Sequence, residues 1–261
     1  MRTDLLSFDD AVISQYENVA PLLKELGFGA TFFICRFNDE WREKNGQYLM
    51  TGEQIRQLDS AGFEIANHTW NHPDLRKLSE QEIEQEITSL NTFLAENGIA
   101  APVSFAYPNR PFAENAVGIL KRNHFLCART VRNSAFHPAE DDCMNLPSYC
   151  ILGNDPEFFQ TAVSQADGTN PVILVFHGVP EYVHPWVNLD FPLFRGYMNS
   201  LKESGYRVCS LRDCFFTLRE KSTTLNSQVT IGCPSPAFFS FRLSGDDIDW
   251  ATFRSWPGLG D

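Results

Sequence analysis

Short runs of β-branched, aliphatic and aromatic residues alternate along this chain with stretches whose apolar residues recur at helical spacing. Parallel strands need such crossovers to bring the chain back to the same end of a sheet, so the alternation specifies an α/β protein built from βαβ units. The first unit is "LLSF" followed by "QYENVAPLLKELG", in which Val19, Leu22, Leu23 and Leu26 share a helical face and Gly27 ends the helix. Next comes "ATFFI", apolar on both faces, then a polar loop, then a helix opened by the capping box of Thr51 with Gln54 and leading into "FEIA". A second capping box, Ser79 with Glu82, opens a helix carrying Ile83, Ile87, Leu90 and Leu94 before "PVSFAY". Beyond it lie a helix around Ala116 to Lys121, strands "FLCAR" and "SYCIL", a helix near Pro156 to Gln165 and strand "PVILVFH". A helix from about Pro192 to Ser204, strand "YRVCSL" and a last helix to about Lys221 complete the pattern. Seven or eight such repeats suit a (β/α) barrel of parallel strands better than an open sheet.

A chain of 261 residues with 43% hydrophobic content can bury one core of barrel size, placed at residues 1–221. From Ser222 the composition turns to Ser, Thr and Pro with two β-like stretches, and residues 222–261 read as a tail or flap against the barrel. The net charge of −12 argues against nucleic acid or an anionic membrane as partner and favours a neutral or cationic ligand. No apolar run is long enough to span a bilayer, and Met1 to Asp4 leads straight into "LLSF" without a visible leader. This fits a cytoplasmic protein, or a cell-envelope one whose leader precedes the sequence. The seven scattered cysteines lack any C-x-x-C pair and read as buried thiols.

In a parallel barrel the functional residues stand where strands end and loops begin. The first strand ends on Asp9 and Asp10, the third in "NHTWNH" with His68 and His72, the fourth in "YPNR", the fifth on Arg129, and "VILVFH" on His177. Three of the six histidines thus fall at strand ends. His68 and His72 are four residues apart, so one helical turn after the strand would point both imidazoles the same way. Two imidazoles and one carboxylate make a three-ligand site with open positions, as in hydrolytic metal centres. A cation also explains two adjacent aspartates: it holds one ionised as ligand and leaves the other to take a proton from water. His177 is then a candidate general acid, and Trp186, with Tyr182 and His184, a candidate sugar-stacking surface.

Four segments, "SFDDA", "ATFF", "HTWNH" and "ILVFH", resemble in order and spacing the T-F-D-D-G, following-strand, H-[ST]-x-x-H and strand-ending-in-His motifs of the polysaccharide deacetylase family, carbohydrate esterase family four. The resemblance runs from about Leu5 to Arg219. It implies a distorted (β/α) barrel that hydrolyses N- or O-acetyl groups on sugars with a divalent metal, usually zinc, with cobalt as an alternative. Asp9 is then the general base; Asp10, His68 and His72 bind the metal; His177 is the acid. Asn109 supplies an oxyanion amide, and Tyr107, Pro108 and Asn109 line the site of an acetylated glycan. The chain departs from the motifs at Ala11, where relatives carry Gly, and at Ala106, where they carry the arginine that braces the base. Arg129, or after it Arg110, would replace that charge, and Asp155 is the candidate for the unmatched fourth motif. These departures keep two alternatives in view: a sugar-binding barrel without turnover, and an allantoinase-like hydrolase of a small amide.

Overall fold

Strand β1 (Thr3–Phe8) is the hub of the sheet, buried at every residue after its first. The computed structural model describes residues 1–224. In it β1 pairs in parallel with β7 (Val172–Phe176) along most of its length and with β2 (Thr31–Ile34) only at its C-terminal end, Ser7 opposite Thr31 and Phe8 opposite Phe32. The N-terminal half of β1 pairs instead with β8 (Arg207–Cys209), which wedges in on the side where β2 has not yet begun. From β2 the sheet continues through β3 (Glu64–Asn67), β4 (Ser104–Ala106) and β5 (Cys127–Arg129), and on the other side β7 pairs with β6 (Tyr149–Cys150). Edge strand β5 meets the segment leading into β6 through an isolated parallel bridge between Arg129 and Leu146, reinforced by Thr130 N–H donating to the Leu146 carbonyl at 2.9 Å. All strand-to-strand pairings are parallel, and the curled sheet is the distorted barrel that the alternation predicts.

Period two divides the strand residues between two cores. Leu6 and Phe8 join Phe32, Ile34, Leu174 and Phe176 beneath the helices, whereas Leu5 joins Phe33, Ala66, Phe105 and Ile173. In the first core Phe8 stacks on Phe32 at 5.1 Å and on Phe176 at 5.5 Å, with Phe194 of helix α7 (Phe191–Glu203) edge-on at 6.0 Å. Each buried ring contributes roughly 1.5–3 kcal/mol by leaving water, which fixes the register of the three strands that end at the site. At the N-terminal ends of the strands, buried Glu64 accepts from Thr31 Oγ1 (2.7 Å), Ser104 Oγ (2.6 Å) and the Arg212 amide (2.9 Å). These bonds seat the first turn of helix α8 (Leu211–Thr224).

The remaining helices are α1 (Ala20–Leu26), α2 (Asp39–Asn45), α3 (Gly52–Ser60), α4 (Glu80–Glu96), α5 (Glu114–Arg122) and α6 (Pro156–Ser164). Both expected capping boxes form, at Thr51 with Gln54 and at Ser79 with Glu82. Two local expectations change. The polar loop after β2 contains α2, whose Asn38 side chain accepts from the Trp41 amide at 2.9 Å. The first helix begins with one wide π turn, Gln15–Val19, before α1. Helix α8 runs to Thr224, three residues into the tail expected over 222–261, and the rest of that tail lies outside the described residues. Among the described residues no helix is long and apolar enough to cross a membrane.

Candidate active site

Strand β1 delivers two consecutive carboxylates to the barrel mouth, and the backbone there separates them. Asp10 and Ala11 both take left-handed conformations, φ 74° and 54°, so the chain turns sharply and the two side chains diverge. Asp10 turns toward His68 and His72; Asp9 turns toward Arg129. The turn is pinned by Asp9 N–H donating to Phe176 O (2.9 Å) and Met50 N–H donating to Ala11 O (2.8 Å). Ala11 therefore carries the left-handed strain that glycine would avoid.

His68 and His72 converge differently from the helical turn that their spacing suggests. The segment after β3 is irregular, and left-handed Thr69 (φ 69°) and His72 (φ 57°) fold it back. Asn67 Oδ1 accepts from the Thr69 amide at 2.8 Å and Thr69 Oγ1 from the His72 amide at 3.1 Å. The result still brings the rings to 4.8 Å between centroids. His72 Nε2 lies 3.5 Å and His68 Nε2 3.7 Å from Asp10 Oδ1. His68 Nδ1 sits 2.8 Å from the Ala106 carbonyl, so it carries the proton and leaves Nε2 as a lone pair aimed at the cluster. Burial pushes the His68 imidazole down to about 3 and also lowers His72, so both rings are neutral at neutral pH. Burial, with the Asp9 charge beside it, lifts Asp10 to about 6 against the pull of His177. Two neutral imidazole nitrogens and a carboxylate oxygen, all within 4.8 Å of one another, fit a divalent cation, whose charge would reverse the penalty on Asp10.

Asp9 is set up as a different kind of carboxylate. Burial is the largest influence on it and acts upward, but Arg129, His68 and His177 together outweigh burial and hold it below the ordinary carboxylate range. Arg129 is only 1% exposed, bonds Asp9 Oδ1 through Nη2, and lies 4.6 Å over the Phe33 ring. Arg129 thus sets a positive charge against Asp9, which Ala106 does not supply. Arg110 points elsewhere, to Cys150 Sγ at 3.9 Å.

His177 Nε2 lies 3.9 Å from Asp10 Oδ2, across the mouth from His68. Its Nδ1 is buried with no hydrogen-bond partner among the described residues, which is the structural counterpart of the unmatched fourth motif. Asp155 does not fill that role, because its carboxylate caps α6 by accepting from the Phe158 amide at 3.0 Å. Tyr107 needs the same correction: it is 2% exposed and its hydroxyl donates to the Met144 carbonyl at 2.9 Å, so it packs in the core and does not line a sugar site. Pro108 is buried beside it, whereas Asn109 is exposed, left-handed (φ 59°), and donates through Nδ2 to His72 O at 3.4 Å. Trp186 is 67% exposed on the segment after β7.

Three further residues belong to the site. Cys35 follows β2 directly with its thiol 3.7 Å from Asp10 Oδ1, a position that inspection of strand ends would have found. Gln15 Nε2 donates to the Asp9 carbonyl and to His177 O at 3.3 Å, tying the ends of β1 and β7 together. Glu181 organises the segment after β7. Neither Gln15 nor Glu181 has a signal in the sequence.

A carboxylate and two neutral imidazoles converge at the C-terminal mouth of a parallel barrel, a donor set of the kind that open metal centres use. Residues 2–127, just under half of the chain, match the model of the polysaccharide deacetylase family. A chitin deacetylase from a Pestalotiopsis species is 33% identical over 92 residues, 35% of this chain and 29% of that relative, so the match spans less than a third of the relative's length. Among solved structures, a family 4 carbohydrate esterase from Streptomyces lividans has a TM-score of 0.53 at 16% identity, covering 80% of this chain and 91% of that one. A family 4 pseudoenzyme from Bacillus anthracis has a TM-score of 0.55 at 18% identity, covering 81% and 65%. At these identities the structures speak for the shared fold.

Proposed function

We propose that the chain is a metal-dependent hydrolase that removes acetyl groups from a sugar oligomer or polymer, with Asp10, His68 and His72 holding a divalent cation, zinc by the character of the donor set. The observation that carries the reading is the pairing of that donor cluster with a second carboxylate, Asp9, kept ionised by Arg129. When bound, the cation supplies Lewis acidity, polarising an acyl oxygen and acidifying water. Asp9 takes the proton of the attacking water through the oxygen that Arg129 leaves unengaged, and the guanidinium fixes that carboxylate's orientation. His177 Nε2, on the far side of Asp10, gives a proton to the departing amine or alcohol. The amide of Asn109, in the turn after β4, is the proposed donor to the developing oxyanion.

Zinc- or cobalt-loaded protein is expected to release acetate from N-acetylated chitooligosaccharides or peptidoglycan fragments, and His72→Ala to lose that release with its metal. Metal-loaded protein that liberates no acetate from any acetylated sugar overturns the reading. The orphaned Nδ1 of His177 and the strained Ala11 favour one other function, a barrel that binds glycans without turning them over. It predicts saturable sugar binding and no acetate at any pH.

A further inference from the structure

One guanidinium at the barrel mouth has no oxygen to hold. Of the arginines at the strand ends and in the loops that follow them, Arg36, Arg42, Arg76, Arg129 and Arg132 each donate to a carboxylate or a carbonyl. Arg110, in the turn after β4, is exposed, and its one hydrogen-bonding contact among the described residues is Nη2 with Cys150 Sγ at 3.9 Å. Cys150 ends β6 and is 4% exposed, and the other charges that bear on its thiol are Asp9, Asp10 and Arg129. Arg110 therefore stands across a buried thiol from the two carboxylates of the candidate site. Burial pushes that thiol up to about 11 against the pull of Arg110, so it stays protonated and leaves the guanidinium charge uncompensated. In a chain of net charge −12, an arginine without an acid is a local exception.

The turn fixes this charge where it is. Asn109 and Arg110 are both left-handed, φ 59° and 78°, a conformation that suits glycine and that an arginine adopts only under constraint. Pro108 precedes the pair and Pro111 follows it, and each ring locks its own φ. Asn109 Nδ2, donating to His72 O at 3.4 Å, ties the turn to the loop that carries the two histidines. A strained residue held at a site, exposed and without a partner, points to a ligand that supplies the partner. The guanidinium presents a planar fork of N–H donors that matches one carboxylate, and its single charge balances a monoanion rather than a phosphate dianion.

We propose that Arg110 is a specificity-determining residue that pairs with a carboxylate on the substrate close to the acetyl group, so that the protein selects acidic acetylated sugars over neutral ones. The inference rests on the deacetylase reading for its substrate class. Isothermal titration calorimetry of the zinc-loaded chain tests it, with N-acetylmuramic acid and 2-acetamido-2-deoxyglucuronic acid as acids and the neutral carboxamide of each as its control. At least one acid should bind more tightly than its amide by about tenfold or more, the worth of a charge-assisted hydrogen bond. Arg110→Gln and Arg110→Gly should bring that ratio to about one, and Arg110→Lys should keep part of it. Arg110→Gly should melt no lower than the parent, since glycine takes a φ of 78° without strain. Absence of any acid preference in the parent, a preference that survives Arg110→Gln, or a marked loss of stability in Arg110→Gly overturns the proposal. Acetate assays on the same samples keep the two ideas apart: acid preference without acetate release defeats the deacetylase reading alone, and acetate release from acid and amide at equal rates defeats the Arg110 reading alone.

Discussion

Replacing Arg129 by methionine should be among the most damaging single changes in this barrel. The guanidinium is 1% exposed, is bonded to Asp9 and rests on Phe33, so its removal leaves a carboxylate 5% exposed with no cation to hold it. Breaking a buried pair in this way costs about 3–5 kcal/mol. The cost depends on pH, and its sign follows from Asp9. With Arg129 present, the depressed Asp9 contributes stability above the unfolded carboxylate value, and that contribution fades as pH falls through the folded value. Without Arg129, burial dominates, the Asp9 pKa rises above the unfolded value, and stability is lost as pH climbs. The gap between parent and Arg129→Met should therefore be widest near neutrality and close toward pH 4. Urea unfolding of the metal-stripped proteins at several pH values measures it, and an Asp9→Asn, Arg129→Met double variant supplies the cycle. The double variant should lose clearly less than the sum of the singles, because it leaves no unpaired charge. A gap below about 1 kcal/mol, a gap independent of pH, or strict additivity would refute the ion-pair reasoning.

Two further perturbations probe β1 and the turn that follows it. Asp4 is fully buried, neither carboxylate oxygen has a partner among the described residues, and its pKa is pushed up to about 8, chiefly by burial and against the pull of Arg2. Its folded value lies above the unfolded one, so the chain should lose stability from about pH 4 to 8, by up to roughly 5 kcal/mol. Asp4→Asn should flatten that slope in urea melts; an unchanged slope assigns it elsewhere. At left-handed, fully buried Ala11, Ala11→Gly should change stability by less than about 1 kcal/mol, because relief of backbone strain offsets the added chain entropy. Ala11→Val should cost at least about 2 kcal/mol by thermal unfolding, and equal behaviour of the two variants would contradict the left-handed assignment.

The strands and the residues at their ends were readable because both follow from local pattern. Alternating periodicity marks βαβ units, and a barrel puts its chemistry at the C-terminal strand ends, which is how Asp9, Asp10, His68, His72, Arg129 and His177 come to notice together. What the pattern lacks is the conformation of the turns. His68 and His72 meet through left-handed residues at Thr69 and His72 where a helical turn was expected. Tyr107 and Asn109 are two residues apart, yet one is buried under Met144 and the other exposed, a difference set by a loop that no periodicity describes. Helix α2 was missed although its Asn38 cap was present, because seven mostly polar residues carry no apolar stripe. Glu181 is invisible in sequence for another reason: its role consists of hydrogen bonds to the main chain, which any acidic residue in a loop could make or not make.

The most direct measurement is metal content. The purified chain, equilibrated with zinc and freed of excess, should carry close to one zinc per molecule by elemental mass spectrometry, and Asp10→Ala and His72→Ala should each carry almost none. Stoichiometric zinc retained by either variant, or none bound by the parent, would contradict the assignment of Asp10, His68 and His72 as a metal site.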